Sequence, residues 1–168
     1  SELGHVIYLS PQGKKLNQDK VIELSSMKSL TLICGRYEGI DQRFIDSYVD
    51  EEISLGDFII SGGEYAALCL IDSVARNIPG TIGNQDSVNK DTFSNGLLKG
   101  PIYTRPEKFE DMDVPDVLLS GNHAAIEDWK TLNSLIQTYI RRPDLLNTVK
   151  LTKKQRKLLE EWESKDIL

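Results

Sequence analysis

Three short apolar runs, HVIYLS (5–10), SLTLIC (29–34) and DFIIS (57–61), are near-continuous rather than alternating. Continuous apolar character suits strands covered on both faces, as in a parallel sheet, and predicts a strand at each run. Each run ends in loop chemistry: SPQGKKLN (10–17), GRYEG (35–39) and SGGE (61–64). In open α/β sheets the ligand crevice lies at the carboxyl ends of the strands, so three such loops on one side describe a binding site. Helical patterns fill the gaps at 17–27, 40–49 and 64–77. The last carries Ala67, Leu68, Ile71 and Val74 at core-facing spacing and stops before Pro79 and Gly80.

Beyond residue 81 the texture changes. TIGNQDSVNKD (81–91) is polar and without period, which reads as a linker. Residues 105–123 are punctuated by proline and read as irregular. Residues 124–142 then form an amphipathic helix with Ile126, Trp129, Leu132, Leu135, Ile136 and Ile140 on its apolar side, interrupted by Pro143. Thr152 and Gln155 have capping-box spacing ahead of a last helix at 153–165. The expected organisation is an α/β domain over 1–82, a linker over 83–91 and a small helical domain over 92–168. The apolar stripes, both tryptophans included, read as core.

Length, charge and cysteine content refine this. The 168 residues suffice for one ordinary domain or two small ones. No apolar run approaches the roughly 20 residues of a membrane span, and no basic-then-apolar leader is present, so a cytoplasmic location is expected. Cys34 and Cys69 lack the spacing of a zinc site or redox motif and read as buried thiols. The net charge of −6 argues at first against nucleic acid. Its distribution argues otherwise: between Lys130 and Lys157 eight basic residues stand against one acid, Asp144. Such a local cationic surface suits RNA, and from charge alone a solvated helix face is an equal reading.

Taken together, YLSPQG, LICGRYEGID, SLGDFIISGGE, DSVARNIPG, LLKGPIYTRP and VLLSGNH closely resemble bacterial tRNA (guanine-N1)-methyltransferases of the TrmD kind. The similarity runs from about His5 to the C-terminal helix. It implies an α/β parallel-sheet SPOUT fold with a deep trefoil knot toward its C-terminal part, plus a small α-helical C-terminal domain. It implies a homodimer that uses S-adenosylmethionine to methylate the guanosine 3′ to the anticodon of tRNA, with no DNA or membrane partner. Tyr8, Leu9, Ser10 and Pro11, then Gly35, Tyr37 and Glu38, then Leu55, Gly56, Phe58, Ile60, Gly62 and Gly63 would line the cofactor pocket. Glycines expose backbone N–H and C=O groups that can grip a neutral adenine, which makes that set physically reasonable.

Guanine N1 carries a proton and is a poor nucleophile, so its methylation needs a base and a group that holds the charge developing on O6. The resemblance maps these roles onto Asp91 and Arg76. It places Thr92, Asn95 and Arg105 on RNA, and the basic cluster, with Arg141, Arg142, Lys153 and Lys154, on the tRNA stem. It also implies Mg2+ as a cofactor; the acids of the chain form no recognisable protein cage for it, and Glu38 is the nearest place. Members carry an N-terminal segment with a Gly-rich stretch that this sequence does not include. Ile53 stands where they often have Trp, and Thr92 where they commonly have Ser. Two rival readings stand beside the enzyme: a knotted tRNA-binding module without turnover, and a small α/β hydrolase or nucleotide enzyme with SGGE as its anion site. The last lacks GxxxxGK[ST] and GxSxG.

Overall fold

The computed structural model describes residues 2–81 and 91–166. The chain divides into two compact units, Ser1–Val88 and Asn89–Leu168. The first is a three-stranded parallel sheet of β1 (His5–Lys15), β2 (Leu30–Cys34) and β3 (Glu51–Ser54), in the order β2-β1-β3. Helix α1 (Gln18–Ser25) connects β1 to β2, α2 (Gln42–Tyr48) connects β2 to β3, and α3 (Gly63–Ala75) follows β3. Two of these starts are capped by side chains: Asn17 accepts from the Lys20 N–H and Asp41 from the Arg43 N–H. Ile7 and Leu9 of the central strand, Ile53, Val21 and Leu24 of α1, and Ala66, Ala67, Leu70 and Val74 of α3 make the core.

Three expectations are corrected here. The third strand is EEIS (51–54), not the more apolar 57–61. Ile53 and Ser54 are its buried positions, and Lys20 and His5 meet the carboxylate of Glu51, which lets so polar a segment pair with β1. Helix α3 buries Ala66, Ala67, Leu70 and Val74, while Leu68 and Ile71 are 63% and 53% exposed, because the small alanines let that face sit closest to the sheet. Cys69 is exposed; Cys34 is half-buried, and burial, then the charge of Glu64, push its thiol above the usual range.

In the second unit the stretch expected to be irregular contains a short hairpin of β4 (Lys108–Phe109) and β5 (Met112–Asp113), then α4 (Asp116–Leu119). The main helix α5 (His123–Arg141) is followed by the single turn α6 (Pro143–Leu146) and by α7 (Lys153–Asp166). Leu97, Leu135 and Thr138 are buried. Ser134 Oγ donates to the Leu98 carbonyl and Thr138 Oγ1 accepts from the Leu98 N–H, which pins an extended segment onto α5. Trp129 meets Tyr103 and Trp162 meets Tyr139 edge to face, consistent with a packing role for both tryptophans. Ile140, expected on the apolar side, is exposed. The capping box of α7 is formed: the Thr152 N–H donates to Gln155 Oε1 and the Gln155 N–H to Thr152 Oγ1.

Candidate functional site

The carboxyl ends of all three parallel strands open onto one cleft of about 350 Å3. Its first wall comes from a break in β1. Leu9 and Lys14 both stand opposite Ile53, so residues 10–13 bulge out of the ladder. Pro11 has no N–H to lose there, and the Gln12 N–H is satisfied by Ser10 Oγ at 3.1 Å. Gly13 is required where the strand rejoins, because a Cβ would run into the Glu52 backbone.

The second wall is the loop after β2. The Gly39 N–H donates to the Arg36 carbonyl and closes a tight turn, at whose tip Tyr37 adopts a left-handed φ of 55° and is 98% exposed. An aromatic side chain held in that conformation, with no packing to stabilise it, is the kind of local strain that marks ligand clamps. Beneath it a Cβ on Gly35 would stand 2.7 Å from the Tyr8 hydroxyl. The third wall follows β3. Ser54 Oγ both accepts from the Gly56 N–H and donates to its carbonyl, and the Phe58 N–H donates to the Gly56 carbonyl. These bonds turn the chain so that Phe58, Ile59 and Ile60 face outward, Ile59 being 83% exposed.

The second and third loops are joined to each other although β1 lies between their strands. Gly62 bridges to Arg36, the Gly63 N–H donates to the Gly35 carbonyl at 3.0 Å, and Arg36 Nε donates to Glu64 Oε1 at 2.7 Å. Its own backbone N–H, and then the Arg36 guanidinium, hold the Glu64 carboxyl below the usual range. Every residue expected at the cofactor, from Tyr8 to Gly63, lines this cleft. So do Gln12, Arg36, Gly39, Ile40, Glu52, Ile59 and Ser61, which the sequence reading did not single out. Ile59 lies between two residues expected there, Phe58 and Ile60, and Arg36 is adjacent to Gly35; adjacency is the signal available for both. An apolar wall beside glycine-exposed backbone suits a flat, neutral heterocycle.

The remaining expected residues lie elsewhere. Arg76 is the C-terminal cap of α3, its N–H donating to the Asp72 carbonyl, where a cation suits the helix dipole. Of the linker expected at 83–91, only Asp91 lies within the described residues. Its Oδ1 accepts from the Thr92 N–H at 3.0 Å and stands 3.9 Å from Lys99 Nζ. Thr92 Oγ1 accepts from the Lys99 N–H and Asn95 Oδ1 from the Leu97 N–H, so residues 91–99 form a self-bonded loop. Arg105 precedes a cis Pro106 and lines a shallow groove with Tyr103, Glu107 and Leu118.

The basic cluster is less cationic than its sequence suggests. Arg142 forks onto Asp144 at 2.8 and 2.6 Å, and acids flanking the cluster reach in: Glu127 pairs with Lys130, Asp128 with Lys154 and Glu161 with Lys157. Among the described residues Arg141, Lys150, Lys153 and Arg156 make no ion pair. No group of three or more His, Cys, Asp or Glu side chains among the described residues is placed to hold a metal ion.

Residues 1–148 match the family described as tRNA (Guanine-1)-methyltransferase TrmD. Among curated relatives, a tRNA (guanine-N(1)-)-methyltransferase of Pseudoalteromonas translucida (strain TAC 125) is 57% identical over 158 residues, 94% of this chain and 62% of the relative. Proteins of the same name from Pseudomonas fluorescens and Photorhabdus laumondii are 57% and 55% identical, across 94% and 96% of this chain and 63% and 65% of their own length. The chain thus spans a little under two thirds of the length of these relatives.

Proposed function

The chain belongs to the tRNA (guanine-1)-methyltransferase TrmD family, and we propose that it transfers a methyl group from S-adenosylmethionine to N1 of the guanosine 3′ to the anticodon of tRNA. The observation that carries this reading is the convergence of three strand-end loops on one cleft with exposed apolar side chains. Phe58, Ile59 and Ile60 offer apolar faces to an adenine, and Tyr37 lines the same cleft from a left-handed backbone. A Cβ on Gly35 would press on the Tyr8 ring, and its absence leaves main-chain groups open to a ligand beside that ring. When bound there, S-adenosylmethionine supplies the methyl group that replaces the proton on guanine N1.

The chain's own residues then have two tasks. The Asp91 carboxylate accepts the N1 proton, and the Arg76 guanidinium stabilises the charge that develops on O6. Among its contacts, Asp91 Oδ1 accepts from the Thr92 N–H and stands 3.9 Å from Lys99 Nζ. Thr92, Asn95 and Arg105 face RNA in this reading, and the cations of α5 and α7 meet the phosphates of the stem. The hydrogen bonds that carry residues 62–63 across to residues 35–36 support threading of the chain into the family's trefoil knot. The exposed apolar face of α3, with Tyr65, Leu68 and Ile71, supports association as a homodimer. The domain layout of 1–82, 83–91 and 92–168 belongs to the same reading. So does a cytoplasmic location; among the described residues no helix is long and apolar enough to cross a membrane. The acids among the described residues do not fit a protein cage for Mg2+.

The test is transfer of labelled methyl from S-adenosylmethionine to a tRNA transcript with G after the anticodon, beside one with A there, by wild type and Asp91→Ala. Transfer to G alone, lost in the variant, is the expected result. A folded chain that binds S-adenosylhomocysteine and transfers nothing overturns the enzyme reading in favour of the tRNA-binding module.

A further inference from the structure

Tyr8 stands in the central strand between Ile33 of β2 and Glu52 of β3. Successive residues of a strand face opposite sides of the sheet, so Tyr8 points away from the core that Ile7 and Leu9 help to build. It lines the cleft and yet is only 6% exposed. Its hydroxyl end lies against the loop after β2, where a Cβ on Gly35 or Gly39 would stand 2.7 or 3.5 Å from the oxygen. Among the described residues no protein group bonds to that hydroxyl. The main-chain groups beside it are engaged elsewhere: the Gly35 carbonyl accepts from the Gly63 N–H, and the Gly39 N–H donates to the Arg36 carbonyl. A buried tyrosine hydroxyl nearly always has a partner, because leaving one unpaired opposes folding. An orphan donor in the wall of a cleft is a place for a ligand's acceptor.

Position within the cleft tells which acceptor. The apolar wall of Phe58, Ile59 and Ile60 follows β3, whereas the Tyr8 hydroxyl lies across β1, beside the loop that follows β2. Resting on the proposed function, a methyl donor with its adenine on that wall spans β1 with its ribose and brings its amino-acid end to Tyr8. We infer that the Tyr8 hydroxyl is a specificity-determining group of the cleft: it donates to the carboxylate of that amino-acid end and selects adenosine ligands that carry one. Glu38, on the same loop and without an ion pair among the described residues, suits the ammonium group that accompanies the carboxylate. A hydroxyl kept for a ligand and one kept for the fold differ in sign. Removing the first spares or strengthens the empty protein and weakens binding, while removing the second weakens the empty protein.

The experiment is calorimetric titration of wild type and Tyr8→Phe with S-adenosylhomocysteine and with its decarboxylated analogue, beside thermal melts of both proteins without ligand. Loss of a hydrogen bond to a charged group should weaken S-adenosylhomocysteine about tenfold in Tyr8→Phe, while the Kd of the analogue stays within about twofold. The ligand-free Tm of Tyr8→Phe should equal or exceed that of wild type, since the ring keeps its packing and sheds an unpaired hydroxyl. An equal loss for the two ligands, or no loss for either, overturns the inference alone. So does a lower ligand-free Tm or a failure to fold, either of which gives the hydroxyl a partner within the protein. Wild type that binds neither ligand overturns the methyl-donor reading instead.

Discussion

At the scale of single residues, two glycines of the cleft differ in what surrounds the missing side chain. A Cβ on Gly63 would lie 2.8 Å from Cys34 Cα, a backbone atom of β2 that cannot move alone. Overpacking of that kind typically costs 1–3 kcal/mol, and the helix-propensity gain of alanine returns under 1. Gly63→Ala should therefore destabilise the fold by about 1–2 kcal/mol in denaturant titration. At Gly35 the obstacle is the Tyr8 ring, a side chain that can swing toward the cleft. Gly35→Ala should cost under about 1 kcal/mol yet weaken S-adenosylhomocysteine binding at least tenfold, because the ring moves into the ligand's space. Equal effects of the two variants on stability and binding would contradict this division of roles. Sequence inspection could mark both glycines as loop residues. It could not tell which neighbour each one was making room for, since that neighbour comes from another strand.

At the scale of elements, the packing of α5 rests on a residue that apolar periodicity passes over. Thr138 is fully buried, accepts from the Leu98 N–H at 3.0 Å and donates to the Ser134 carbonyl at 2.7 Å. Thr138→Val keeps the shape and leaves the Leu98 N–H unpaired, a loss of about 1–3 kcal/mol. Thr138→Ser should recover most of it, and thermal melts of the two variants check the difference. The same blindness explains the misplaced strand. Periodicity marks apolar segments, and 57–61 is apolar, but Phe58, Ile59 and Ile60 face the cleft rather than the core. The true strand, 51–54, is half acidic and is admitted by Lys20 and His5, partners distant in sequence. Helices α1, α3, α5 and α7 were legible because their signals are local: caps, stops and apolar spacing. Of the cleft, the residues alone announced only that three loops gather on one side; the identity of its lining came from family resemblance.

At the scale of the whole molecule, the proposed function asks a chain of net charge −6 to hold an anionic RNA through a minority surface. Counting sequence charges between residues 130 and 157 suggests eight phosphate contacts, which predicts a slope of log affinity against log salt of about −6 to −7. The structure predicts about half of that. Lys130, Arg142, Lys154 and Lys157 are engaged by acids on their own surface, and a cation that must leave a carboxylate to meet a phosphate gains little. Arg141, Lys150, Lys153 and Arg156 remain, for a slope of about −3 to −4 in a KCl titration of tRNA binding. Arg141→Gln and Lys153→Gln should each reduce the magnitude of the slope by about 1, whereas Lys154→Gln should leave it nearly unchanged. A wild-type slope near −7, or equal losses from Lys153 and Lys154, would mean that RNA strips the carboxylates from their partners. In that case the acids flanking the cluster would act as competitors that RNA displaces, and their removal should tighten binding.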